Sequence, residues 1–164
     1  MRTALVVLFT ANAATASSQD HSSCPMHAGA THKAQVDHRH QGATGIPTDG
    51  TEHHFVVAPD GGSIRVAVKD PRQTQALDGV RSHLRLITRS FASGDFTLPT
   101  QIHARVPPGA ETLKARRDKL RYSYSDVPDG GVVTIRTTDR EALAALHEFL
   151  RFQVSDHETG DSLE

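Results

Sequence analysis

The chain predicts an α+β fold: two β-β-α units forming a roughly four-stranded antiparallel sheet with two helices on one face, preceded by a disordered arm. Three observations carry this expectation. The tetrapeptide Pro-Asp-Gly-Gly occurs at 59–62 and again at 128–131, each time between strand-like runs. Each pair of runs is followed by an apolar stripe at helical spacing. Asp70 and Asp139, which precede the two helical patterns, keep the 69-residue offset of the two turns.

In chain order, residues 1–16 read as a secretory signal. Arg2 supplies a positive start, Ala4 to Phe9 an apolar core too short to span a bilayer, and Ala14-Thr15-Ala16 a small-x-small cleavage pattern. A mature chain starting near Ser17, in the periplasm or secreted, is expected. No later stretch is long and apolar enough for membrane insertion. Residues 17–51 hold Val36 and Ile46 as their only large aliphatics. Such a segment buries too little apolar surface to offset its ordering entropy, so a mobile arm is expected.

The folded domain is expected over 52–157, with a tail at 158–164. His53 to Val57 and Ser63 to Val68 form the first hairpin, with glycine supplying the turn's positive φ. Asp70 as N-cap, Pro71 in the first position and Gln73 reaching back open a helix. Its inward stripe is Ala76, Val80, Leu84, Ile87 and Phe91, and Gly94 ends it. A linker from Asp95 to Lys119, with Pro99 and Pro107-Pro108-Gly109, contains a short helix from Ala110. Arg121 to Tyr124 and Val132 to Arg136 make the second hairpin. Thr138 to Glu141 is a capping box, followed by Ala142, Leu143, Leu146, Phe149, Leu150 and Val154 facing inward.

Charge and motif content exclude several function classes. With 18 basic and 19 acidic residues, the chain has no electrostatic basis for nucleic-acid binding. No nucleophile elbow, phosphate-binding loop, dinucleotide fingerprint or His-Glu-x-x-His helix occurs. No catalytic residue is therefore singled out.

The chemistry-bearing residues concentrate in the arm. Seven of the 11 histidines fall between 21 and 54, together with the single cysteine. Cys24-Pro25-Met26-His27 sets thiolate, thioether and imidazole within four residues, and soft sulfur selects Cu(I) while imidazole suits copper and zinc. His21 and His32 flank it. His38 and His40 point the same way in an extended segment and can share an ion. Of the adjacent His53 and His54, which face opposite sides of a strand, at most one joins, and His54 is taken. The expected metal ligands are therefore Cys24, Met26, His27, His21, His32, His38, His40 and His54, for Cu(I) foremost and zinc as a second metal.

The Cys-Pro-Met-His box resembles the heavy-metal-binding segments of periplasmic copper and silver efflux proteins. That resemblance covers residues 24–27 and implies soft-metal ligation by Cys24, Met26 and His27. Those segments continue to a second Cys-Pro-x-Cys-x-Met element, which is missing here. Residues 36–161 resemble a group of small bacterial proteins of unassigned role, through Asp-His-Arg-His (37–40), His-His-Phe (53–55), Phe-Leu-Arg-Phe-Gln (149–153) and Asp-His-Glu-Thr-Gly-Asp (156–161). That group often carries the label aspartate carbamoyltransferase. The chain lacks the Ser-Thr-Arg-Thr motif of such enzymes and is far shorter than they are, so the resemblance implies a shared fold and no mechanism.

Together these features predict an exported copper or zinc binder that buffers, sequesters or carries metal, with an efflux or acceptor protein as partner. The competing expectation is a small-ligand or catalytic site built from His83, His103, His147 and His157, which would show as convergence of those rings in a pocket. A third is a protein-interaction module using a sheet edge.

Overall fold

Alternating apolar residues and two-residue turns build the sheet. A computed structural model describes residues 31–164. The expected signal peptide, and with it His21, Cys24, Met26 and His27, lies outside the described residues. The elements are α1 (His32–Thr44), β1 (Thr51–Ala58), β2 (Gly61–Val68), α2 (Thr74–Ala92), α3 (Thr97–His103), α4 (Ala110–Ala115), a 3-10 turn (Arg117–Lys119), β3 (Leu120–Val127), β4 (Gly130–Thr137) and α5 (Arg140–His157). The four strands form one antiparallel sheet in the order β1-β2-β4-β3. The expected α+β fold is what the chain adopts.

The two hairpins are related by a pseudo-two-fold axis. β1 and β2 map onto β3 and β4 at a constant 69-residue offset, and Ile64 faces its own counterpart Val133 at the centre of the β2–β4 pair. The turns are the two residues Pro59-Asp60 and Pro128-Asp129, so the glycines that follow open a strand instead of completing a turn. Their role is close approach. A Cβ on Gly61 would lie 1.9 Å from the Ile135 carbonyl oxygen, and one on Gly130 would lie 1.9 Å from that of Val66. Each turn is also tied to the other hairpin: Val68 N–H donates to Asp129 O (2.7 Å) and Thr137 N–H to Asp60 O (3.1 Å).

Helices α2 and α5 cover one face. Leu77, Val80, Leu84, Ile87 and Phe91 of α2 are buried, as are Ala142, Ala145, Leu146, Phe149, Leu150 and Val154 of α5. Burial of each large side chain stabilises by about 1.5–3 kcal/mol. Leu77 takes the inward place expected of Ala76, which is only partly buried. The capping expectations shift. Asp70 closes a turn by accepting from Arg72 N–H (3.1 Å), and α2 begins four residues later than Asp70. In α5 the N-cap is Asp139, accepting from Glu141 N–H (3.1 Å) and Ala142 N–H (2.9 Å), one residue beyond the Thr138 expected.

Two segments differ more substantially from expectation. The arm expected to stay mobile through residue 51 contains α1. Thr31 Oγ1 caps it by accepting from Ala34 N–H (3.3 Å), and Gly45 closes it at φ 72°. Tertiary contact holds it: Val36 is fully buried, and Arg39 Nε donates to the Ile102 carbonyl of α3 (2.5 Å). The tail is not free either. Asp161 accepts from Phe55 N–H (2.9 Å) and lies 3.0 Å from His54 Nδ1, so residues 159–161 bind the outer edge of β1. The linker gains α3, which sequence periodicity does not announce, alongside the expected α4 from Ala110. No helix among the described residues is long and apolar enough to cross a membrane.

Candidate functional site

Five elements each bring one histidine to the same place. In α1, His40 lies one helical turn beyond the buried Val36. In β1, His53 shares the inward face with Phe55 by strand alternation. His83 of α2 precedes the buried Leu84, His103 ends α3 after Ile102, and His157 ends α5 three residues past Val154. The rings are mutually close. His40 is 4.9 Å from His53, 5.8 Å from His83 and 6.1 Å from His157, centroid to centroid. His157 is 5.5 Å from His53 and 5.0 Å from His103.

These five rings line a cavity of about 50 Å3 whose floor is apolar, with Phe55, Ile64, Leu84, Ile87, Phe91 and Phe149 among its walls. Burial disfavours the charged form of four of them, His40, His53, His83 and His157. It lowers the pKa of His40 to about 4, with His103 adding repulsion against an opposing pull from Asp37. Burial and His40 take His83 to about 4, and burial with His103 and His40 takes His157 to about 3. Burial, then His40 and His157, keep His53 well below the ordinary imidazole value.

Two nitrogens in this cluster, His40 Nδ1 and His53 Nε2, are shielded from solvent and have no hydrogen-bond partner. Buried polar atoms are normally paired, and leaving one unpaired costs about 1–3 kcal/mol. Three of the five cluster residues, His40, His53 and His103, also come from segments read in sequence as arm, strand entrance and linker.

One ring is anchored from behind. His103 Nδ1–H donates to Asp156 Oδ2 (2.5 Å), and its Nε2 lies 2.9 Å from Gln153 Oε1. Gln153 Nε2 has no partner, and turning the amide over would aim this donor at the ring nitrogen of a neutral His103. The same Asp156 carboxylate receives His32 Nε2 (2.8 Å) and Arg105 (3.2 Å). Burial alone would raise the Asp156 carboxyl, but the hydrogen bonds from His103 and His32 outweigh it and hold the pKa below its ordinary value. A carboxylate that fixes an imidazole through Nδ1 is a common support behind a ligating or reacting ring.

The expected ligands divide sharply. His40 enters the cluster. His38 does not, because a helix turns residues two apart to different faces, and His38 is exposed while His40 is buried. The shared His-x-His site is thereby replaced. On β1 the inward ring is His53, and the His54 chosen from sequence faces outward to Asp161. His32 caps the Asp156 network at the surface, more than half exposed. Of the domain histidines, His83, His103 and His157 converge. His147 stands apart, its Nε2 lying 3.0 Å from the Ala58 carbonyl and 3.1 Å from that of Gly61. Among the described residues, no three His, Cys, Asp or Glu side chains already stand as a ready-made metal shell. Comparison with protein-family models, with curated proteins and with solved structures gave no match.

Proposed function

We propose that this chain binds a copper or zinc ion at the cluster of His40, His53, His83, His103 and His157, as a metal buffer or carrier. The observation that carries the reading is the convergence of five imidazoles from five elements, two of them with buried nitrogens lacking any partner. Neutral imidazole is the ligating form, and burial favours it at His40, His53, His83 and His157. With a metal–nitrogen bond of 2.0–2.1 Å, ring centres in a tetrahedral site stand about 5 Å apart. The separations here, 4.9–6.1 Å, are within a side-chain rotation of that spacing. Ligation requires the rings to turn so that their nitrogens meet, since they are now largely edge to face.

Convergence of His83, His103 and His157 is also what a small-ligand or catalytic site would display. Size supports the metal reading over that alternative. A cavity of about 50 Å3 has room for an ion and a water or two, whereas sites for organic ligands usually enclose about 300–1,000 Å3. On this reading the ion would sit in the folded domain, with Cys24, Met26, His27 and His21 as accessory donors. Buffering or carriage outside the cytoplasm follows from the export signal read in residues 1–16.

The test is anaerobic Cu(I) and Zn(II) titration of the full chain against chromophoric chelators, beside the His40→Ala/His83→Ala variant. One ion per chain, with affinity at least a hundredfold weaker in the variant, is expected. No binding, or equal binding by both proteins, would sink the reading.

A further inference from the structure

The chamber between the five rings is lined by groups that carry no fixed charge. Besides the imidazoles it has one polar side chain, the Gln153 amide, and no carboxylate, thiol or thioether among the described residues. The rest of the lining is apolar. A metal ion seated there keeps its whole charge against those walls. The cost of burying a charge rises with its square, so a divalent ion costs about four times as much as a monovalent one of the same size.

Two carboxylates act on the rings, and each is matched by a cation. Asp156, bonded to His103 Nδ1 (2.5 Å), is also met by the Arg105 guanidinium (3.2 Å). Asp37, one helical turn before His40 and pulling on that ring, receives Lys33 Nζ (2.5 Å). Arg39, whose Nε donates to the carbonyl of the lining residue Ile102 (2.5 Å), adds a further positive charge. Glu52 and Glu158 are exposed at an outer cavity shared with Lys69, where solvent screens them. The charges packed around the chamber therefore sum to no excess of negative charge.

We infer that the chamber selects a monovalent soft ion, Cu(I), over divalent zinc or copper, and that Arg105 and Lys33 set this preference by neutralising Asp156 and Asp37. The inference rests on the metal reading above and names the ion that the site takes. Imidazole suits both copper and zinc, so the donor type leaves the choice open and the surrounding charge makes it. Arg105 and Lys33 touch no ion and act through their carboxylates. Their side chains are 60% and 41% exposed, so replacing them leaves the core packing in place.

The experiment titrates the full chain anaerobically with Cu(I) against bicinchoninate, and with Zn(II) against pyridylazoresorcinol, at one pH and ionic strength. Wild type is compared with Lys33→Gln/Arg105→Gln and with each single substitution. Each protein is paired with its His40→Ala/His83→Ala form, so that ions held elsewhere on the chain are subtracted. Wild type should hold Cu(I) at least about a thousandfold more tightly than Zn(II). Coulomb energy is proportional to ionic charge, so freeing both carboxylates should raise Zn(II) affinity by the square of the factor for Cu(I), about tenfold against about threefold. Each single substitution should give a smaller step in the same proportion. Zn(II) held as tightly as Cu(I) in wild type, equal gains for the two ions, or no gain for either overturns the inference and leaves the metal reading standing. Neither ion bound by wild type at the histidines removes the metal reading, and this inference with it.

Discussion

His53, near the start of β1, and His157, the last residue of α5, lie with their rings 3° from parallel and 5.5 Å apart, although 104 residues separate them in sequence. Two imidazoles stack this way without mutual repulsion only if both are neutral, which their lowered pKa values ensure. Neutrality, burial and missing hydrogen bonds give the cluster a cost in stability that a ligand would offset.

That cost can be measured directly. His40→Leu keeps the buried volume of α1 and removes the unpaired Nδ1. The metal-free variant should be more stable than wild type by about 1–2 kcal/mol in urea melts, since an unsatisfied buried polar atom is gone. Its metal affinity should fall at least tenfold. His147→Ala should do the reverse, losing about 1 kcal/mol with its hydrogen bond to the Ala58 and Gly61 carbonyls while keeping full affinity. Loss of stability in His40→Leu would assign that ring a structural role.

Acid should unfold the metal-free protein early. The folded-state pKa values of His40 and His83, about 4, and of His157, about 3, lie below the unfolded value near 6.5. The unfolded chain therefore binds more protons between these limits. Stability contributed by the neutral rings is complete above pH 6.5 and is lost as pH falls towards 4. Each such group gives a slope of up to about 1.4 kcal/mol per pH unit, so three give up to about 4. Denaturation midpoints taken from pH 7 to pH 4 should show this steepness. A flat profile across that window would mean that the rings are hydrated.

Asp156→Asn tests the support behind His103. The substitution removes the charge shared by His103, His32 and Arg105. Stability should drop by about 2 kcal/mol, because charged hydrogen bonds to a buried carboxylate are lost. Metal affinity should drop about tenfold or more through the freed His103 ring. Calorimetry and chelator competition on the same preparation would read both. An unchanged affinity would separate the network from the cluster.

The paired hairpins depend on two glycines. Gly130→Ala and Gly61→Ala each place a methyl group within 1.9 Å of a backbone carbonyl oxygen, and each should cost about 3 kcal/mol or more. Gly79→Ala, in the open middle of α2, meets nothing within 4 Å and should stabilise by about 0.5–1 kcal/mol. Thermal melts of the three variants would check both directions.

Much of the fold is readable from local pattern. Strand alternation, the paired Pro-Asp turns and the stripes of α2 and α5 are properties of neighbouring residues, and the sheet follows from them. Helix α1 escapes such a reading because its buried face is Val36 and His40, one aliphatic and one imidazole, which gives no apolar stripe. Its end signals, Thr31 and Gly45, are present in the sequence but weak without periodicity. α3 is too short to announce itself.

The candidate site is legible only in part. Composition alone points to metal through its histidine content, and His40 is common to the sequence expectation and the cluster. Which rings meet is decided by three-dimensional facts. A strand selects His53 over His54, a helix separates His38 from His40, and α5 ends where its last ring closes the chamber. By itself the sequence determined the α+β fold, the repeated hairpins and the inward faces, because each depends on periodicity within one segment. Tertiary structure alone decided the five-histidine site, because its members lie on five elements and only packing sets the distances between them.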